Sequence, residues 1–123
     1  IQRMTFIKCI ISYYALMDLN RANKNMANIS NPEILKGFSF LENMIKTEKV
    51  PPLLIARAGK DSKRLNDTID AVLRRSLDRN LEIDLLNHAN GRHAFDIFND
   101  DERTREIIRY TIDFIKRRLL DDK

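Results

Sequence analysis

A single cysteine, Cys9, leaves no partner for an internal disulfide and no second thiol for a zinc site of the usual cysteine spacing. A reducing compartment, and a buried inert thiol, follow as expectations. Long apolar runs are missing too: no stretch approaches the roughly 18 residues that a membrane-spanning helix requires. The first residues do not have the layout of a signal peptide, so a soluble, cytoplasmic protein without a membrane partner is expected. A single-sign basic stripe is missing as well. Lys and Arg total 22 against 18 for Asp and Glu, and bases alternate with acids, as in Arg103, Arg105, Glu106, Arg109 and Asp113. That is the pattern of a solvated helix face, not of a stripe following a phosphate backbone, and no nucleic-acid partner is expected. Repeats and low-complexity tracts are absent as well.

What is present can fold. At 123 residues with 43% hydrophobic content, residues 1–123 suit one domain with a modest core. The chain begins with Ile1 rather than methionine, which points to a piece of a longer polypeptide. Phe6-Ile7-Lys8-Cys9-Ile10-Ile11-Ser12-Tyr13-Tyr14 is β-branched and aromatic with no polar face, and predicts a strand over 6–14 covered on both sides. An Asn-rich excursion follows, with Asn20, Asn23, Asn25, Asn28 and Asn31, before a short helix around 40–47. Pro51-Pro52 then opens a buried strand over 53–57, with 58–61 as its exit loop.

Leu65, Ile69, Val72, Leu73 and Leu77 fall on one helical stripe within 65–79, with Asn66 or Asp67 available to cap its start. A third strand is read over 81–86, and 87–93 as a polar loop leaving it. Asp100, Asp101 and Glu102 precede a last amphipathic helix that ends in Lys116, Arg117 and Arg118, acids first and bases last as the helix dipole favours. Strand and helix therefore alternate. The expected fold is a three-layer α/β sandwich around a short, mostly parallel sheet of about three strands. Chemistry in such sheets gathers beyond the carboxyl ends of the strands, where Asp61 and His93 both sit.

The segment Pro51-Pro52-Leu53-Leu54-Ile55-Ala56-Arg57-Ala58-Gly59-Lys60-Asp61, the helix after it, and Asn87-His88-Ala89-Asn90-Gly91-Arg92-His93-Ala94-Phe95-Asp96 resemble the second half of α/β-hydrolases of the esterase, lipase and dienelactone-hydrolase kind. The resemblance spans roughly 6–119, places residues 18–47 at the usual cap position, and implies that Asp61 is the triad acid and His93 the triad base. It implies a carboxylic-ester or related acyl hydrolase or peptidase, a small-molecule ester or acyl substrate, and no cofactor or metal. Independently of the family, a histidine can shuttle a proton only if its tautomer and ring direction are fixed, which a carboxylate on its other nitrogen achieves. Gly91 is expected to let the loop bend so that the ring turns back to the sheet edge.

The nucleophile is another matter. A strand-turn-helix serine needs glycines two residues before and after it, yet Gly37, Gly59 and Gly91 include no pair four apart. None of Ser12, Ser30, Ser39, Ser62 and Ser76 has that context, and the glycine-rich oxyanion loop is missing. The expectation is a hydrolase segment whose serine comes from elsewhere; the alternative is a truncated, non-catalytic module acting through self-association at the bare edge of the 6–14 strand. His88, near Asp84 and Asp96, reads as loop surface in preference to a metal ligand, and Asp96 as a support of the His93 loop or a cap of the last helix.

Overall fold

The computed structural model describes residues 6–18, 40–46 and 48–120. Their elements are β1 (Ile10–Tyr13), α1 (Phe40–Lys46), β2 (Leu53–Ala58), α2 (Lys63–Asp78), β3 (Ile83–His88), a single-turn α3 (Phe95–Phe98) and α4 (Glu102–Leu120). The strands form one parallel sheet in the order β1-β2-β3, with Ile11 opposite Leu54 and Ala58 opposite His88. Parallel neighbours need crossover connections, and α2 supplies the one between β2 and β3.

The central strand explains the layering. In β2, alternate side chains point to opposite faces. Leu53 and Ile55 pack with Ile69 and Val72 of α2, Met44 of α1 and Met17, whereas Ala56 and Ala58 meet Phe95 and Ile107 on the other face. Both faces are thus sealed, which is why five of the six β2 residues are buried and residues 53–56 are all apolar, Arg57 alone reaching out to Asp70. The two alanines leave room for Phe95, fully buried, and for the stripe Thr104, Ile107, Thr111 and Phe114 of α4. The result is a three-layer α/β arrangement.

Boundaries differ from the expected ones for identifiable reasons. The first strand is Ile10–Tyr13, and it is mostly half-buried because it lies at the edge of the sheet; Cys9 before it is likewise half-buried, with a free thiol. Helix α2 starts at Lys63 because Ser62 caps it, its Oγ accepting the Leu65 N–H at 3.2 Å. Asn66, one of the expected caps, is turned inward and donates Nδ2 to the Ala58 carbonyl at 2.9 Å, while Asp67 pairs with Lys63. The same helix ends in a Schellman arrangement: Asn80 is left-handed (φ 53°), and the Leu81 N–H reaches the Ser76 carbonyl at 2.9 Å. Leu81 is thereby committed to the helix end, and β3 begins two residues later than the alternation implied, drawing Asn87 and His88 from the expected loop into the strand. Of the cap-like 18–47 excursion, residues 19–39 and 47 lie outside the described residues; α1 is tied back to the end of β1 by the Leu41 N–H on the Met17 carbonyl, 2.9 Å.

Candidate active site

The loops leaving β2 and β3 continue the parallel pairing past the ends of the strands. Gly59 donates its N–H to the His88 carbonyl and Lys60 to the Gly91 carbonyl, both at 2.8 Å, and Asp61 closes a turn onto Ala58 at 3.1 Å. Glycine is required at two places by close approach. A Cβ on Gly59 would lie 2.5 Å from the Ala89 carbonyl oxygen, and one on Gly91 2.7 Å from Cγ of His88. Gly91 does not have a positive φ, so the expected sharp bend is not its role: it admits the His88 ring beneath the loop.

This zipper brings the two expected residues together. His93 Nδ1 lies 2.6 Å from Asp61 Oδ2, and Oδ1 of the same carboxylate accepts the Ser62 N–H at 2.8 Å. The Asp61 side chain is only 9% exposed and that of His93 56%, so the acid is sheltered and the imidazole faces outward. An acceptor-only carboxylate on Nδ1 calls for the Nδ1–H tautomer, leaving the Nε2 lone pair free to take a proton. Nε2 has no hydrogen-bond partner among the described residues. Neither Ser62, engaged as the α2 cap, nor Ser12, buried in β1 with an unpartnered Oγ, bonds to His93.

A third group at this edge was not singled out from the sequence. Tyr14 follows β1, donates its N–H to the Ala56 carbonyl at 2.8 Å, and is left-handed at φ 39°. A bulky side chain there costs on the order of 1–3 kcal/mol and persists only where its surroundings over-determine it. They do: its hydroxyl donates to Asp96 Oδ1 at 2.7 Å, and its ring stands 4.6 Å from that of His93, tilted by 59°. Burial, and then the Asp96 carboxylate, push the Tyr14 phenol up to about 12. Ala94, immediately after His93, is also left-handed (φ 63°). Asp96 thus supports the His93 loop through Tyr14. Three consecutive strands deliver Tyr14, Asp61 and His93 to one edge.

His88 is not surface. It is 3% exposed, packs 5.1 Å from the Phe95 ring, and places Nε2 at 3.0 Å from Asp101 Oδ1 and 3.2 Å from Thr104 Oγ1. Asp101 also accepts the Thr104 N–H at 2.7 Å; that bond above all, with help from the Thr104 hydroxyl, His88 and Asn99, holds its carboxyl well below the usual aspartate range. The acids near His88 in sequence bond elsewhere, Asp84 to the Tyr110 hydroxyl and Asp96 to that of Tyr14. Among the described residues no group of three or more His, Cys, Asp or Glu could hold a metal ion, and no helix is long and apolar enough to cross a membrane. Comparison of this chain with known family models, with curated proteins and with solved structures gave no match.

Proposed function

We propose that this chain is the acid-and-base half of an α/β-hydrolase-type serine hydrolase acting on carboxylic esters or related acyl compounds, with the nucleophile supplied by a segment outside this sequence. The observation that carries the reading is the 2.6 Å Asp61–His93 bond, with Nε2 open. In this mechanism Asp61 keeps the proton on Nδ1. Nε2 removes the proton of a serine hydroxyl as its oxygen attacks the acyl carbon, then returns that proton to the departing alcohol. Water repeats the cycle and frees the acid product. A reducing, cytoplasmic setting belongs to the same proposal, supported by the free thiol of Cys9.

The test is the coding sequence upstream of Ile1 and the polypeptide it encodes. An in-frame Gly-x-Ser-x-Gly is expected, its serine labelled by a fluorophosphonate probe. Labelling should be lost in His93→Ala and slowed by about 10⁴-fold in Asp61→Asn, the order seen when a triad acid is neutralised. Labelling undiminished in both variants would overturn the proposal.

The second reading, a non-catalytic module that associates with a second copy, is favoured by β1. It lies at the sheet edge, and Phe6 just before it is 72% exposed. An initiation codon upstream with no serine motif, together with a stable dimer, is the outcome expected of this alternative.

A further inference from the structure

Given the reading of Asp61 and His93 as an acid–base pair, on which this inference rests, we infer that Tyr14 is a positioning residue for His93. Its ring is the wall that fixes the imidazole plane, and Asp96 is the anchor that fixes the wall. The need for it follows from the exposure of His93. Torsion about the bond to an imidazole is broad and roughly two-fold, so a half-turn would exchange Nδ1 for a carbon facing Asp61. One hydrogen bond on a side chain 56% open to solvent is a weak restraint against that exchange. Burial of the ring cannot supply the restraint either, since only the carboxylate of the pair is sheltered.

Tyr14 supplies it from the end of β1. Its ring centroid is 4.6 Å from that of His93 at an interplanar angle of 59°, a tilted contact of the kind aromatic pairs favour. The same ring is packed edge-on against buried Phe95 at 5.8 Å, so it has a firm backing. Three independent restraints hold it in place: the N–H bond to Ala56, the left-handed backbone that turns the side chain out of the strand direction, and the hydroxyl bond to Asp96. The anchor lies three residues beyond His93, in the first turn of α3, so the wall and the ring it supports are fastened to the same loop. A tyrosine kept at φ 39° merely to end a strand would be poorly placed, whereas asparagine or glycine would end it without strain.

The experiment is ¹⁵N–¹H correlation of the imidazole ring in the full chain, at a pH above the histidine titration range. It reports which nitrogen carries the proton, a quantity that loss of stability alone does not move in a chain that remains folded. In the unaltered protein His93 is expected to be held as the Nδ1–H form. Tyr14→Leu is expected to lower the ratio of Nδ1–H to Nε2–H by about two- to tenfold, the range equivalent to one aromatic contact. Tyr14→Phe and Asp96→Ala both keep the ring and remove its anchor, so each should lower the ratio in the same direction by a similar amount, smaller than in Tyr14→Leu. Asp61→Asn separates the two layers of argument. If it leaves the tautomer unchanged, the acid–base pair itself is wrong. If it shifts the tautomer while Tyr14→Leu and Asp96→Ala both leave it unchanged, the pair stands and the role of Tyr14 is overturned. Should Tyr14→Leu fail to fold, Asp96→Ala alone decides.

Discussion

His88 Nε2 contacts Asp101 Oδ1 at 3.0 Å, joining the last residue of β3 to the start of α4 beneath the loop that carries His93. The two histidines of this chain therefore do opposite things. His88 is 3% exposed and held by Asp101 and Thr104, whereas the His93 side chain is 56% exposed and, among the described residues, hydrogen-bonded to Asp61 alone. His88→Ala is expected to destabilise the fold by about 2–4 kcal/mol, through a cavity against Phe95 and the loss of the ring's hydrogen bonds to Asp101 and Thr104. His93→Ala should cost less than about 1 kcal/mol. Urea denaturation of the two variants measures this; equal losses would contradict the division of labour.

Asp101 gives that clamp a pH signature. Its carboxyl is held below the ordinary range chiefly by the Thr104 N–H, so the folded state binds this proton less readily than the unfolded state. A depressed folded value contributes stability that is fully present above the unfolded value, about 4 for aspartate, and is lost as the pH falls below it. Acid unfolding followed by circular dichroism should therefore show a flatter pH dependence below about pH 4 in Asp101→Asn than in the unaltered protein. A slope unchanged by the substitution would exclude Asp101 as a contributor.

Gly59 and Gly91 make a second pair of contrasts with ordinary loop glycines. Each is placed where a Cβ would collide, with the Ala89 backbone in one case and the His88 ring in the other. Gly59→Ala and Gly91→Ala are expected to cost about 1–3 kcal/mol each, as overpacking does. Gly59→Ala should also separate the loops and weaken the Asp61–His93 bond, because the Ala89 backbone has less freedom to yield than a side chain. Thermal melts and the His93 tautomer check both effects together.

Much of this site was readable in the chain, for a physical reason. Strand β2 is buried on both faces, so residues 53–56 form an apolar run that marks the strand, and Asp61 follows in its exit loop. What could not be read depends on partners far along the chain. His88 belongs to β3 because Ala58 pairs with it and its Nε2 is hydrogen-bonded to Asp101, and no local pattern shows either. Ser62 prevailed over Asn66 as the helix cap because Asn66 has a buried carbonyl to satisfy. Tyr14 was hidden because a left-handed backbone is ordinarily announced by glycine or asparagine. The tether to Asp96, distant in sequence, is what makes it tenable.

The tyrosines offer a readout of that tether. All three, Tyr13, Tyr14 and Tyr110, are raised above the ordinary phenol value, Tyr14 to about 12. A raised folded value favours the neutral form. Its contribution to stability is complete below the unfolded value, near 10, and is lost as the pH rises from there to about 12. Tyrosinate absorbance should therefore stay low at pH 10 in the folded protein and rise together with unfolding. In Asp96→Asn the Tyr14 phenol is expected to ionise earlier, since the second cause of its shift, the carboxylate, has gone, and Tyr13, on which the same carboxylate acts more weakly, should follow in the same direction. An identical titration in that variant would show that burial alone sets the Tyr14 value.

The isolated chain is expected to hydrolyse p-nitrophenyl acetate little faster than buffer, since no hydroxyl or thiol among the described residues is hydrogen-bonded to His93. Robust turnover abolished by His93→Ala would reveal a nucleophile within the chain, with Ser62 and Ser12 the first to replace.

Association is the last expectation, and the hydrogen bonds of β1 say how to test it. Ile10 and Tyr14 donate their N–H groups to the Pro52 and Ala56 carbonyls of the β2 side, at 2.9 and 2.8 Å. Along a strand successive residues turn their backbone groups to alternate edges, so Ile11 and Tyr13 direct theirs to the outer edge. That edge has no partner strand among the described residues, and an unpaired edge next to an exposed Phe6 is a template for a second chain. Sedimentation of the isolated chain is expected to show a dimer that dissociates on dilution. Ile11→Pro removes one outward N–H while sparing the bonds to β2, and proline is tolerated at such edge positions. It should therefore abolish the dimer and leave a folded monomer. A dimer that survives Ile11→Pro would move the interface away from β1, and a chain that is monomeric throughout would mean that this edge is not a site of self-association.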